Sequence, residues 1–405
     1  MILKIFINIL LYLIISCSLQ ASEFLIKNAK IHTTSLGFIE GADLHIKEGK
    51  IINISKNIIV SGIDKIDAEG NFLTPGFLAP LTQIGLVEIE LEPNTRDDSS
   101  KYYSSGLGIS KAYNPSSSLI PYNLRGGITT SLSSPSFGKN LFSGLISAFS
   151  LTSSLEKSLI KRDIGLIARI GGGEDSRAAN ILMLEDSFLQ AKKYILSGKL
   201  EEHFKPDKIS FSTRDIKSIS RVLYREIPLI VHANRASDIL ALIDLSKEFE
   251  INLIIAGAKE GWRVAESLMK AKVPVIIQPI DNLPSSFDEI AASLDNAAKL
   301  HEAGVKILIS SHETHNAYLS RQGAGIAVSY GLPWHAAIDA LSKNIAESFS
   351  LNSIGSIEIG KTADFIIWSE DPLEVTAFAE RIFISGNEMP VMTRSLRLRD
   401  RYLKE

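Results

Sequence analysis

From about Pro75 onward, short apolar runs alternate with longer stretches whose apolar residues recur at helical spacing. The runs are ITTSLS, SGLISAFS, IGLIARI, PLIVHA, INLIIAG, VPVIIQP and VKILISS. Between them lie segments such as RAANILMLEDSFLQAKKYIL, RASDILALIDLSKEFE, GWRVAESLMKA and FDEIAASLDNAAKLHEAG. Strands apolar on both faces, linked by amphipathic helices, predict a parallel sheet covered by helices. The number of such units favours a closed (β/α) barrel over an open doubly wound sheet. The ends of the chain read differently. FLIKNAKIHTTS, ADLHIKEGKIINIS and IDAEGNFLTP at the front, and GSIEIGKTADFIIWSEDPLE and ERIFISGNEM at the back, are short β-rich runs broken by turn residues. Two such ends flanking one barrel predict a single small β-sandwich built from both termini.

The fold class expected is therefore α/β, a distorted (β/α)8 TIM-type barrel plus a composite β-sandwich. Its boundaries fall at 22–74 and 356–405 for the two halves of the sandwich and at 75–355 for the barrel. Residues 92–123, rich in Asn, Asp, Ser, Tyr and Pro, predict a long surface loop at the barrel mouth. Residues 1–21 read as a signal peptide. Lys4 supplies the positive start, IFINILLYLIIS the apolar run, and Ala21 the small residue before cleavage. That leader implies a periplasmic or secreted protein with no stable membrane span after cleavage. IISC around Cys17 loosely resembles a lipobox, so a lipoprotein form stays open.

Composition narrows the function. With 43 Lys and Arg against 46 Asp and Glu, the net charge is −3, and no electrostatic footprint for nucleic acid is present. The single cysteine, Cys17, lies in the leader. A mature chain without it has no thiol for a disulfide, a nucleophile or a thiolate metal ligand. Glycine-rich RIGGGED and RGGIT lack dinucleotide-binding spacing and read as loops.

NFLTPGFLAPLTQIG near the front and GSIEIGKTADFIIW near the end resemble the two bookends of the amidohydrolase superfamily. VHANRASDI, AGVKILIS, GAGIAVSYGLPWHAAIDALSKNIAESFSL and DPLE fit its later strands and helices, and the nearest branch is the imidazolonepropionase-like exported amidohydrolases. The resemblance implies a metal-dependent hydrolase fold acting on non-peptide carbon–nitrogen bonds of the amide or cyclic amide class. The family's first strand carries PGFxDxHxH, whose histidines bind metal. Here those positions are Leu81 and Gln83, with Ala79 at the aspartate. The strand-five histidine is His232, the strand-six histidine is replaced by Ala256, and the strand-eight aspartate falls on Ser311 or His312. Leucine has no lone pair and an amide is a poor zinc ligand. No metal is therefore expected in the family position. Zinc would return only in a site rebuilt around His232, His312 and His315.

The candidate catalytic residues are His232, at a strand end, and His312, in the SSHETH segment. HETH either joins His232 and Glu313 in an unconventional metal or acid–base site or is a polar loop. Candidate substrate-binding residues are Arg169 and Arg177 near the end of IGLIARI, Arg235 after His232, and Asn282 after VPVII. An arginine there suits a substrate carboxylate, and equally a surface ion pair. His32, His45, His203, His301 and His335 read as structural. Two function classes follow: a hydrolase with an atypical or lost metal site, or a catalytically inactive periplasmic binding or scaffold protein. Either takes a small-molecule ligand, and homo-oligomerisation stays open.

Overall fold

The structure, a computed structural model, describes residues 23–33, 37–138, 140–152, 154, 156–171, 175–198, 211–311, 314–390 and 392–403. The segment read as a leader, with Cys17, together with Glu174, His203, His312 and Glu313, lies outside these residues.

Five strands open the described chain: β1 (Phe24–Thr33), β2 (Gly37–Lys47), β3 (Lys50–Ser55), β4 (Asp64–Asp67) and β5 (Phe72–Pro75). Eight follow: β6 (Phe77–Thr82), β7 (Ile128–Ser133), β8 (Phe142–Ser150), β9 (Leu159–Arg169), β10 (Leu229–Ala233), β11 (Leu253–Gly257), β12 (Val275–Ile277) and β13 (Ile307–Ile309). The last three are β14 (Phe365–Trp368), β15 (Ala379–Ile384) and β16 (Asn387–Glu388).

Strands from both ends share one sheet, in the order β16-β15-β14-β5-β1-β2-β3, with β4 paired to β1. The join is the antiparallel β14·β5 ladder, in which Ile366 faces Thr74 and Ile367 faces Leu73. Phe24, Ile26, Leu44, Leu73, Phe365 and Phe383 pack into its core, where the rings of Phe365 and Phe383 stack at 4.6 Å. Short strands bury too little alone, and the two ends supply each other's partners. Trp368, fully buried, donates Nε1–H to Thr74 Oγ1 at 2.8 Å and stacks on Phe77 of β6. One tryptophan thus ties this sheet to the next.

The second sheet runs β6 to β13 in sequence order. Its seam carries a hydrogen bond from Ser310 Oγ, just past β13, to Pro80 O of β6 at 2.8 Å. This eight-stranded sheet is the barrel, with one departure from a regular (β/α)8 pattern. β6·β7 and all neighbours from β9 to β13 are parallel, but β8 is antiparallel to both β7 and β9. The connections on either side of β8 are too short for a helical crossover, which a parallel strand needs.

The helices are α1 (Leu119–Arg125), α2 (Arg177–Ser197), α3 (Thr213–Leu223), α4 (Ala236–Glu248), α5 (Ala265–Ala271), α6 (Asn296–Glu302), α7 (Leu319–Ser329), α8 (Trp334–Leu341), α9 (Lys343–Ser348) and α10 (Arg394–Tyr402). None of them is long and apolar enough to cross a membrane. The expected 92–123 loop is more ordered than its composition suggests. It ends in α1, and Tyr113 stacks on buried Phe149 of β8 at 3.7 Å. The carboxylate of buried Asp98 pairs with Arg96 at 2.9 Å, and its backbone carbonyl accepts Ser136 N–H at 3.0 Å.

Apolar residues fill the lumen: Leu78, Leu132, Ile146, Ile167, Ile230, Ile254, Ile276 and Leu308 from the strands, with Ile345 and Phe349 from the α9 region packed among them. A barrel of eight strands has an interior just wide enough for side chains to fill.

Candidate functional site

Side chains alternate across a strand, so a residue two beyond an inward one also points inward. Ile167, Ile230, Ile276 and Leu308 belong to the lumen cluster. Two residues on stand Arg169, His232, Gln278 and Ser310. The carboxyl-terminal end of the barrel therefore closes with polar groups above an apolar plug. This is the end at which barrels of this type hold their sites.

His232 stands between Arg169 on β9 and Ala256 on β11 in the strand register. Its ring is 5.2 Å from that of Phe137. Burial, then the Arg169 charge, pushes its pKa down to about 4, with a smaller push from Lys259 and an opposing pull from Glu289. The imidazole is therefore neutral at pH 7, a form that accepts and donates one hydrogen bond each. Gly257 makes room for it. That glycine has φ +91°, and a Cβ there would lie closer than 3.0 Å to Asn234 Oδ1 and 3.3 Å from His232 Nε2.

Of the positions that the resemblance would assign as metal ligands, the described ones are poor in zinc donors. Leu81 and Ala256, 2% and 0% exposed, are packed into the lumen cluster. Leu81 is the extra residue of a β-bulge, between the pairs Pro80↔Leu132 and Thr82↔Ser133, and has φ +57°. A bulge re-aims a side chain, here an apolar one into the lumen. Gln83 Oε1 accepts Thr314 Oγ1–H at 3.0 Å, and Ser311 Oγ donates to Asn316 O and Ala317 O at 3.3 Å each. Among the described residues at these positions His232 is the one imidazole, where three or four donors must converge. Among the described residues no group of three His, Cys, Asp or Glu side chains could hold a metal ion. His315 faces elsewhere. Its Nε2 is 3.0 Å from Glu88 O and its Nδ1 3.7 Å from Glu90. Moving it beside His232 would break both contacts.

Of the arginines singled out by sequence, Arg169 alone faces the lumen free of a carboxylate. Its Nε–H donates to Gly171 O at 3.0 Å, and no described carboxylate pairs with its guanidinium. Arg177 is committed to Asp238 at 2.8 Å and also pairs with Asp288. Arg235 precedes α4 as its N-cap residue, half-buried. The side-chain amide of Asn282 donates to Ser293 O and holds a turn. His32 pairs with Asp339 at 3.2 Å and His45 with Glu23 at 3.0 Å, both in the terminal sheet.

Sequence reading passed over the strongest electrostatic feature of the mouth. Lys259 and Glu289, both buried, pair at 2.9 Å. Glu289 also accepts from Asn234 Nδ2 at 2.9 Å and from Ser285 Oγ at 2.6 Å. Burial works against its charge, but the Ser285 and Lys259 donors outweigh it and hold its carboxyl below the usual range. The signal was the charged pair KE directly behind the apolar run LIIAGA. The network ties the 278–295 segment to the ends of β10 and β11.

Residues 256–392 match the amidohydrolase family. An amidohydrolase of Hapsidospora irregularis, tasK, is 23% identical over 231 residues, covering 54% of this chain. This chain spans only 23% of that relative's length. Among solved structures, an amidohydrolase from Thermotoga maritima MSB8 is 26% identical with a TM-score of 0.82, covering 91% of this chain and 99% of that one. The β-aspartyl dipeptidase of Fervidobacterium islandicum AW-1, solved with a β-Asp-Leu dipeptide, is 18% identical with a TM-score of 0.56. It covers 91% of this chain and 96% of its own. The L-hydantoinase of Arthrobacter aurescens is 14% identical, with a TM-score of 0.53 and the same coverages. The last two similarities establish the fold alone.

Proposed function

We propose that this chain is an exported member of the amidohydrolase family, of the imidazolonepropionase-like branch, acting on a small amide or cyclic amide at the carboxyl end of its barrel. The observation that carries the reading is the ring of inward polar residues, His232, Arg169 and Gln278, at that end of an eight-stranded sheet. The match of residues 256–392 and the TM-score of 0.82 to the Thermotoga maritima amidohydrolase support the class. The carbon–nitrogen specificity, the sandwich arrangement of the terminal sheet and export by the leader are parts of the same proposal.

The site is atypical. Leu81 and Ala256 leave no place for the family's metal, so no step here runs through one. Neutral His232 hydrogen-bonds the ligand, Arg169 supplies fixed positive charge, and the Lys259–Glu289 pair holds the wall. A second reading, a catalytically silent binding protein on the same fold, is favoured by the apolar packing of Leu81 and Ala256. Incubation of the purified protein with a panel of N-acyl amides, hydantoins and dipeptides separates the two. Turnover that His232→Ala removes, with the variant still folded, supports the hydrolase; ligand binding without turnover supports the silent form. Turnover that His232→Ala leaves intact refutes the assignment of the site.

A further inference from the structure

Helix α2 is apolar on two faces. Leu184, Phe188 and Ala191 are buried in the core around the barrel. Leu182, Leu189 and Leu196 stand on the outer side, 58%, 49% and 88% exposed. A helix that buries one apolar stripe ordinarily keeps its opposite face polar. The three outer leucines are spaced by seven, and a helix drifts only about 20° per seven residues. They therefore form one stripe, about 21 Å long at ~1.5 Å per residue. Glu185 and Lys192 are also seven apart, and they lie about 40° and about 60° to the same side of Leu189. Neither has an ion-pair partner among the described residues, and the Lys192 ammonium lies over the ring of Phe249, which closes α4, at 4.5 Å.

The stripe complements itself when reversed. In an antiparallel pairing with a second copy of α2, about a two-fold axis at Leu189, that leucine meets its own counterpart. Leu182 meets the second copy's Leu196, and Glu185 meets the second copy's Lys192 on the same flank. The two-fold makes each of these last contacts twice. A parallel pairing would set Glu185 against Glu185 and Lys192 against Lys192, and like charges across a contact disfavour it. We infer that the outer face of α2 docks a second copy of this chain, antiparallel, through Leu182, Leu189 and Leu196, with the Glu185–Lys192 pairs fixing the register. Two helices of this length make a contact at the small end of interface sizes, so the dimer is weak, with a dissociation constant on the order of 10–100 μM.

Sedimentation equilibrium of the purified protein, from about 1 to about 300 μM, tests this. A monomer–dimer equilibrium is expected. Leu189→Glu opposes two carboxylates at the axis and should abolish the dimer. Glu185→Lys and Lys192→Glu should each weaken it about tenfold, because each breaks two pairs and sets like charges together. An equimolar mixture of those two variants regains both pairs and should associate as tightly as the wild type. Melting curves confirm that each variant is folded. A monomer at every concentration overturns the inference and leaves the stripe to a different partner. A dimer that survives in folded Leu189→Glu, or a mixture that stays as weak as the single variants, also overturns it.

Discussion

Replacing Gly257 by alanine probes the corner that holds His232. Two costs add. A residue with a Cβ at φ +91° is strained by about 1–2 kcal/mol. The new methyl also falls closer than 3.0 Å to Asn234 Oδ1, and Asn234 cannot retreat freely because its Nδ2–H is bonded to buried Glu289 at 2.9 Å. Losing a hydrogen bond to a charged group costs about 1.5–3 kcal/mol. The sum is about 2.5–5 kcal/mol. An unfolding entropy of ~2.1 cal/mol/K per residue over roughly 380 residues gives ~0.8 kcal/mol/K, so Tm should fall by ~3–6 °C. Gly360 supplies the control. Its φ is +90° and nothing lies within 4 Å of a Cβ there. Gly360→Ala carries the strain alone and should lower Tm by ~1–3 °C. Differential scanning fluorimetry of both variants decides the matter. If Gly257→Ala costs no more than Gly360→Ala, the packing of Asn234 and His232 around that glycine is wrong.

Asp364 is buried where the terminal sheet meets the barrel, and burial pushes its pKa up to about 6 despite a hydrogen bond from Ser385 N–H. A raised folded pKa makes its contribution full below the unfolded value of 3.8 and lost as pH rises through about 6. Asp364→Asn should therefore gain on the wild type by up to about 3 kcal/mol between pH 4 and pH 7.5 in urea unfolding; an equal difference at both pH values would contradict this. Lys259→Ala strands buried Glu289 and should destabilise by about 3–5 kcal/mol, and adding Glu289→Gln should recover part of it. A double variant no more stable than the single would remove the pair from the mouth's framework. For the export proposal, mass spectrometry of the mature N-terminus should find a chain beginning near Ser22. Intact Met1 on a cytoplasmic species would count against export, and an acylated Cys17 would make the protein a lipoprotein.

The strands were legible because buried parallel strands announce themselves as apolar runs. ITTSLS is β7, and the runs PLIVHA, INLIIAG, VPVIIQP and VKILISS contain β10 to β13. The direction of β8 was not read, since an apolar run carries no polarity; the short connections around it held that information. His232 and Arg169 could be placed at strand ends because strand register is local. Arg177 could not, because its partners Asp238 and Asp288 come from distant segments. The Lys259–Glu289 pair escaped for the same reason, joining residues thirty positions apart. Arg321 likewise acts at long range: it donates to Pro372 O, Glu374 O and Ala377 O, holding the chain between β14 and β15.

The proposal that no metal is held in the position the amidohydrolase resemblance assigns is tested most directly by elemental analysis of the purified protein after dialysis against a weak chelator. With Leu81 and Ala256 packed in the lumen and Gln83 and Ser311 bonded to neighbours, zinc should be present at far less than about one equivalent per chain. About one or more equivalents of retained zinc, lost in His232→Ala, would contradict it and show that a metal site had been rebuilt around this histidine.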